Sequence, residues 1–239
     1  MLISQQHINQ ILSLGPHIQD AVSPSLNLGA CLDPTQRAVH DRVRRWAMDL
    51  TNGAAPNDLL RVVFLGTAGT GKSDTIKSIM RTVEKLFGAG SVLRCAHTGV
   101  AASNMGVGAE TISSLFKLGS KAESTRAIDE LVKSLGQVRL VIVDEISMVG
   151  AQQFYAMSER LETVARVLWR RAHKGRSRSS IDGTLTGEPS HFGGFGGRGV
   201  LLVGDFGQIP PIGEASLIAP SPGQHREAAA GQRLFRSFR

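Results

Sequence analysis

Eight consecutive residues, Gly66-Thr67-Ala68-Gly69-Thr70-Gly71-Lys72-Ser73, constrain this chain more than any other segment. They follow an apolar run from Leu59 to Leu65, broken only by Arg61. They precede Ile76, Ile79, Met80 and Val83 at helical spacing. A run of that kind suits a strand covered on both faces, as in a parallel sheet. Strand, glycine loop and helix, in that order, is the setting a phosphate-binding loop needs. The glycines let the backbone turn its N–H groups inward as a nest for phosphate oxygens. The following helix adds the positive end of its dipole. In such a loop Lys72 reaches the β- and γ-phosphates of ATP and Ser73 ligates magnesium.

The same alternation extends along the chain. Asp33-Pro34-Thr35-Gln36 reads as a helix start, with Asp33 at the N-cap and Gln36 three residues on. Val39, Val43, Trp46, Ala47 and Leu50 give that helix an apolar face, and Asn52-Gly53 and Pro56 end it. Further strands are expected at 91–96, 138–143 and 200–203. Further helices are expected from Gly99 to Asn104, around Ile128 to Leu135, and from Phe154 to Leu168. Strands alternating with helices argue an α/β fold, a parallel sheet with helices on both faces. Residues 1–30 have mixed polarity and no period, and read as a poorly anchored arm. Residues 31–239 read as one domain. Within it, 170–199 is rich in Gly, Ser and Arg and reads as a loop or insertion.

Composition narrows the class. Apolar residues at 41% are enough for a buried core. No apolar run approaches the ~18 residues of a membrane span, so no membrane partner is expected. The N-terminus lacks the basic and apolar stretches of a secretory signal. Cys31 and Cys95 stand too far apart for a metal-ligand spacing and read as reduced thiols. A net charge of +7 favours a polyanionic partner. The basic stretch 166–178 holds Arg166, Arg170, Arg171, Lys174, Arg176 and Arg178. It reads as a phosphate contact, a nuclear import signal or a solvated loop.

Two further segments suit the phosphate loop. Val141-Ile142-Val143-Asp144-Glu145 places two acids at the end of a buried strand, the same sheet edge as the loop. There Asp144 would hold magnesium, and Glu145 would orient and deprotonate the attacking water. Gly204-Asp205-Phe206-Gly207-Gln208-Ile209-Pro210-Pro211 follows the last strand. By spacing, Gln208 is either a polar contact to the γ-phosphate or a turn residue.

Taken together and in order, these motifs resemble the PIF-type DNA helicases of superfamily 1B. The resemblance is carried by Leu32 to Gln36, GTAGTGKS at 66–73, AHTGVAASNMGVGAETISSLF at 96–116, VIVDEISMV at 141–149 and FGGRGVLLVGDFGQIPPIG at 195–213. The ending from Gly231 to Phe238 resembles the transposon-associated branch. The resemblance implies a recombinase-A-like phosphate-loop domain that uses ATP and magnesium on single-stranded and forked DNA. It implies 5′-to-3′ movement and work in recombination, repair and telomere maintenance; the expected compartment is the nucleus, with mitochondrion and cytoplasm as alternatives. It also implies residue roles. Gln36 would read the adenine, the alternative being the capping box. Thr98, Gly99, Thr111 and Ser113 would contact the DNA strand, and Gln208 would sense the γ-phosphate.

The chain departs from the family where His97 stands in place of the usual proline and Ser113 in place of the usual histidine. Both lie in the DNA-contact segment. Members also carry a second motor domain that supplies arginines to the ATP site, and nothing after Gln208 is long enough to be one. A fragment or truncated product, nearly inactive alone, is therefore expected.

Overall fold

The computed structural model describes residues 32–53, 59–67, 69–106, 108–119, 125–174, 192–219 and 226–238. Helix α1, Pro34–Thr51, begins with both halves of a capping box. Asp33 Oδ1 accepts from Thr35 N–H at 2.8 Å and Gln36 N–H at 3.1 Å, and Gln36 Oε1 accepts from Asp33 N–H at 3.3 Å. Pro34 lacks the N–H that would otherwise be orphaned there. Strand β1, Arg61–Leu65, leads through the glycine loop into α2, Lys72–Phe87. His40 on α1 ties the two helices together. Thr82 donates its hydroxyl proton to the Ser78 carbonyl, so His40 Nε2, 3.0 Å away, is the donor to Thr82.

Strand β2, Val92–Ala96, is followed by the short α3, Gly99–Asn104, the two-residue β3, Glu110–Thr111, and the single turn α4, Ile112–Leu115. Helix α5, Thr125–Leu135, precedes β4, Leu140–Asp144. A 3₁₀ turn at Ile146–Met148 then opens the long α6, Ala151–Ala172. Strand β5, Gly199–Gly204, and helix α7, Arg226–Phe235, complete the described elements. The five strands are all parallel, in the order β1-β5-β4-β2-β3.

Alternation along the strands feeds two cores. On one face Val62, Phe64, Leu140, Ile142, Leu201 and Val203 pack with Trp46 of α1 and Ile79 and Val83 of α2. On the other, Val141, Val143, Val200 and Leu202 pack with Leu131 of α5 and Phe154, Met157 and Leu161 of α6. Both faces of β4 and β5 are covered, which is why their sequences read as unbroken apolar runs. Phe154 is fully buried beneath Phe195, Phe235 and Phe238, with ring centroids 5.2–6.2 Å away. Phe154→Ala should cost about 3–5 kcal/mol, read as an earlier urea midpoint with an unchanged slope.

Several expectations need correction. Strands β1 and β4 start two residues later than the apolar runs do. The segment 170–199 is not a loop throughout: α6 continues to Ala172, and 192–199 is core. Glu162 of α6 accepts from Phe192 N–H at 3.0 Å and Gly194 N–H at 2.9 Å, while Ser158 Oγ accepts from Phe195 N–H. Arg61 donates to the carbonyls of Gly193, Gly194 and Arg198. Arg198 donates to those of Leu135, Leu161 and Gly196. Burial pushes Arg61 and Arg198 each down to about 9, against the pull of Glu162. Both stay charged at neutral pH. Gly196, at φ 59°, sits so close to the Leu161 carbonyl that a Cβ would lie 2.3–2.8 Å from backbone atoms there, so this glycine serves close packing.

The expected arm at 1–30, with Cys31, lies outside the described residues, as do Arg176 and Arg178. Cys95 is a free thiol, buried in β2, and burial pushes its pKa up. Among the described residues, no helix is long and apolar enough to cross a membrane.

Candidate functional site

In a wholly parallel sheet every strand delivers its following loop to one edge. The C-terminal ends of β1, β4, β5, β2 and β3 therefore place the phosphate loop, the acidic pair, the Gln208 loop and the α3 and α4 segments side by side.

The phosphate loop is anchored at its start by Gly66 N–H, which donates to the Gly204 carbonyl at 3.1 Å. Gly69 and Gly71 take φ of 80° and 73°, a left-handed backbone that favours glycine. Thr70 Oγ1 donates to the Thr67 carbonyl at 2.8 Å across the loop. Lys72, the first residue of α2, donates from Nζ to the carbonyls of Gly66 at 2.5 Å and Thr67 at 2.8 Å. Its ammonium thus sits over the loop it belongs to. Ser73 follows in the first turn with its side chain exposed. Ala68 is outside the described residues.

Gln36 was open between two roles, and the capping box is borne out. Its other end is also used: Nε2 donates to the Thr70 carbonyl at 2.8 Å and closes on Gly71. One amide joins the start of α1 to the phosphate loop. The amide NH2 has two N–H donors, so Nε2 can keep the Thr70 carbonyl and still offer one to a base.

Asp144 ends β4 and accepts from Glu145 N–H at 2.9 Å through Oδ1. Burial raises its pKa, against that hydrogen bond and the Lys72 charge. Glu145 takes φ 52°, ψ 45°, a left-handed backbone in which a non-glycine residue is uncommon. Burial raises its pKa first, then the Asp144 and Asp205 charges, with Lys72 opposing. Glu145 thus feels Asp144, Lys72 and Asp205, and Asp144 feels Lys72. Asp205 is the one that sequence reasoning passed over, although it directly precedes the Gln208 loop. Its Oδ1 accepts from Gly207 N–H at 2.9 Å, and its carbonyl accepts from Gln208 N–H at 3.0 Å. The backbone of Gln208 closes a turn, and its side chain is exposed.

The proposed DNA-contact residues sit at the other end of this edge. Thr98 N-caps α3, accepting from Ala101 N–H at 3.1 Å, and Thr111 N-caps α4, accepting from Ser114 N–H at 3.2 Å. Both hydroxyls hold short helices in place. Gly99 starts α3 and is exposed, with Val100 beside it. Arg94 donates to the Met105 carbonyl at 2.7 Å and fixes the turn after α3. The two departures from the family pattern, His97 and Ser113, meet on a single side chain. His97 Nδ1 lies 2.9 Å from Gln153 Oε1, and Gln153 Nε2 donates to Ser113 Oγ at 3.2 Å. Nothing in the sequence marked Gln153, which shares the buried face of α6 with two other polar residues, Ser158 and Glu162.

The sequence profile of the PIF1-like helicase family matches residues 31–219. The ATP-dependent DNA helicase RRM3 of Saccharomyces cerevisiae is 32% identical over 162 residues, covering 63% of this chain and 18% of the relative. The ATP-dependent DNA helicase PIF1 of Xenopus laevis is 34% identical over 161 residues, covering 65% of this chain and 21% of the relative. The chain thus spans about a fifth of the length of these relatives. A crystal structure of Bacteroides Pif1 bound to single-stranded DNA superimposes with a TM-score of 0.50 at 22% identity, over 77% of this chain and 34% of that one. At that identity the likeness shows a shared fold.

Proposed function

The chain belongs to the PIF1-like helicase family, and from that premise we propose that it is the first motor domain of an ATP-dependent DNA helicase. It binds ATP at 66–73 and couples hydrolysis to 5′-to-3′ movement on single-stranded DNA and to unwinding at forks. The work it serves is recombination, repair and telomere maintenance, in the nucleus. What supports the transposon-associated branch is the resemblance of the ending at 231–238. The observation that carries the reading is the single sheet edge that sets the phosphate loop with Lys72, and Asp144 and Glu145 at the end of β4, beside α3 and α4.

The donor set fits magnesium. Asp144 uses only Oδ1 on the Glu145 N–H, and Ser73 offers an exposed hydroxyl. Two hard oxygen donors beside a phosphate nest suit an ion that takes the rest of its shell from phosphates and water. Held there by Ser73 and Asp144, the ion would supply positive charge to neutralise the phosphates during transfer.

The chain's own groups divide the remaining work. Lys72 leaves the Gly66 and Thr67 carbonyls for the phosphates, exchanging neutral acceptors for charged ones. Glu145, its pKa raised by burial and by two neighbouring carboxylates, takes the proton from the attacking water. Gln208, on the turn closed by Asp205, reports loss of the γ-phosphate. Thr98, Gly99, Thr111 and Ser113 present α3 and α4 to the DNA backbone. A second motor domain supplies the arginines that complete the site, a contribution typically worth ~10³–10⁵ in rate.

The test is steady-state phosphate release with and without single-stranded oligonucleotide, on this chain and on a longer polypeptide containing it. We expect slow, weakly stimulated release from the chain and strong stimulation in the longer form. Absence of DNA stimulation in both would overturn the reading.

A further inference from the structure

Helix α6 starts without a cap of its own. Gly150 at its N-cap has no side chain to offer. The segment after the Gln208 loop supplies the acceptors instead. Glu214 Oε2 accepts from Gln153 N–H at 3.0 Å, and the Ala215 carbonyl accepts from Ala151 N–H at 2.8 Å. Gly150 is small of necessity, since a Cβ there would run into the Glu214 side chain. A carboxylate at this end also meets the positive pole of the α6 dipole.

Gln153 is the residue on which this arrangement converges. Its backbone N–H holds Glu214, its Oε1 faces His97 and its Nε2 donates to Ser113. His97 directly precedes Thr98, the cap of α3. Ser113 lies two residues after Thr111, the cap of α4. Gln153 is 9% exposed, while His97 is half-buried and Ser113 exposed. A single buried amide therefore bridges the start of α3 and the helix α4, next to the β2–β3 pairing of Ala96 with Thr111. The same residue ties both to the segment six residues beyond Gln208.

We infer that Gln153 is a positioning residue for the DNA track. Its amide holds α3 and α4 in register, and its backbone fixes that pair to the loop that follows Gln208. The inference rests on the reading that α3 and α4 contact single-stranded DNA. Gln153 itself does not touch the strand. It acts through His97 and Ser113, so its loss affects grip on DNA and leaves the nucleotide site alone. Positioning of this kind depends on side chains locked by their neighbours, and slackness of an ångström is enough to lose function.

The test uses the 239-residue chain and two variants. Gln153→Met keeps length and helix propensity but removes both side-chain hydrogen bonds. Gln153→Glu keeps two acceptors, which His97 and Ser113 can both satisfy as donors. Fluorescence anisotropy with labelled oligothymidine at low salt reads DNA affinity, and calorimetry with magnesium-ADP reads the nucleotide site. Two hydrogen bonds worth of positioning should make oligothymidine binding by the Met variant about tenfold weaker. Magnesium-ADP affinity should stay within about twofold, and the Glu variant should recover to within about threefold of the parent. The freed His97 and Ser113 can turn to water, so the Met variant should fold with an unchanged circular dichroism spectrum.

Equal oligothymidine affinity in the Met variant and the parent would overturn the inference. So would a Glu variant as weak as the Met variant, because the defect would then be general damage to α6. If the parent itself fails to bind oligothymidine, the DNA reading of this domain fails first and the inference falls with it.

Discussion

Lys72→Ala is expected to weaken magnesium-ATP binding by roughly 10²–10⁴-fold. The lysine replaces two neutral carbonyl partners, Gly66 and Thr67, with phosphate oxygens when nucleotide enters. Hydrogen bonds to charged groups contribute about 1.5–3 kcal/mol each. Two of them, at 1.4 kcal/mol per decade, span that range. The fold should hardly notice the change. The Thr67 bond is exposed and the Gly66 bond only partly buried, so water can replace the ammonium on both carbonyls. Gly69, Gly71 and the Thr70-to-Thr67 bond that shape the loop remain. Calorimetry with magnesium-ATP gives the affinity and thermal unfolding gives the control. An unchanged affinity with an unchanged melting temperature would remove 66–73 as the nucleotide site.

How far the sequence could be read depended on the range of the interaction behind each feature. The capping box of α1 spans three residues, from Asp33 to Gln36, and the structure places it where the pattern did. The apolar runs of β4 and β5 report their own two-sided burial, so strand identity and the parallel sheet were legible. So was the placing of Asp144 and Glu145 at the strand end.

Apart from the strand starts of β1 and β4, the failures involve partners far apart in the chain. Segment 192–199 read as loop because of its glycines, yet those glycines allow close contact with α6. The groups that hold it are Glu162, 30 residues before Phe192, and Arg61, 133 residues before Gly194. Arg61 looked like a break in a strand because a lone arginine carries no sign of four carbonyls converging on it. Strand β3 has only two residues and owes its existence to pairing with Cys95 and Ala96. Helix α7 is short, and it docks where Gly231 meets the start of α6 with no room for a Cβ. Gln36 shows the same division within one side chain. Its local capping role was legible, whereas its bond to Thr70, 34 residues away, was not.

Glu145→Gln is expected to leave ATP binding within a few-fold while turnover falls by about 10²–10⁴, the usual contribution of a positioned general base. Lys72, Ser73 and Asp144 still hold the nucleotide, and glutamine keeps the shape without the basicity. The measurement belongs in a longer polypeptide that contains this chain, where turnover is fast enough for a large fall to be resolved. Intact turnover there would show that another group takes the proton.

Two pH effects follow from the raised pKa of Glu145, which burial, Asp144 and Asp205 cause in that order of size. A base works only when deprotonated, so the acid limb of the rate profile should lie above the range of an ordinary glutamate. Asp144 titrates beside it, and the limb then belongs to the pair. The stability effect has the opposite sense from that of a paired carboxylate. The folded state holds this proton more tightly than the unfolded state does. Stability therefore falls as pH rises from the unfolded value through the folded one, and the deprotonated site remains a liability above it. Glutamine removes that liability. The variant should melt at a higher temperature than the parent at neutral pH, and the gap should close as the pH falls below the ordinary glutamate range. The left-handed backbone at this position is the same in both proteins, so it cancels from the comparison. A loss of turnover coupled to a gain in stability is the signature of a residue held in an unfavourable place for the chemistry it performs. A variant that melts lower at every pH would instead mark Glu145 as a structural group.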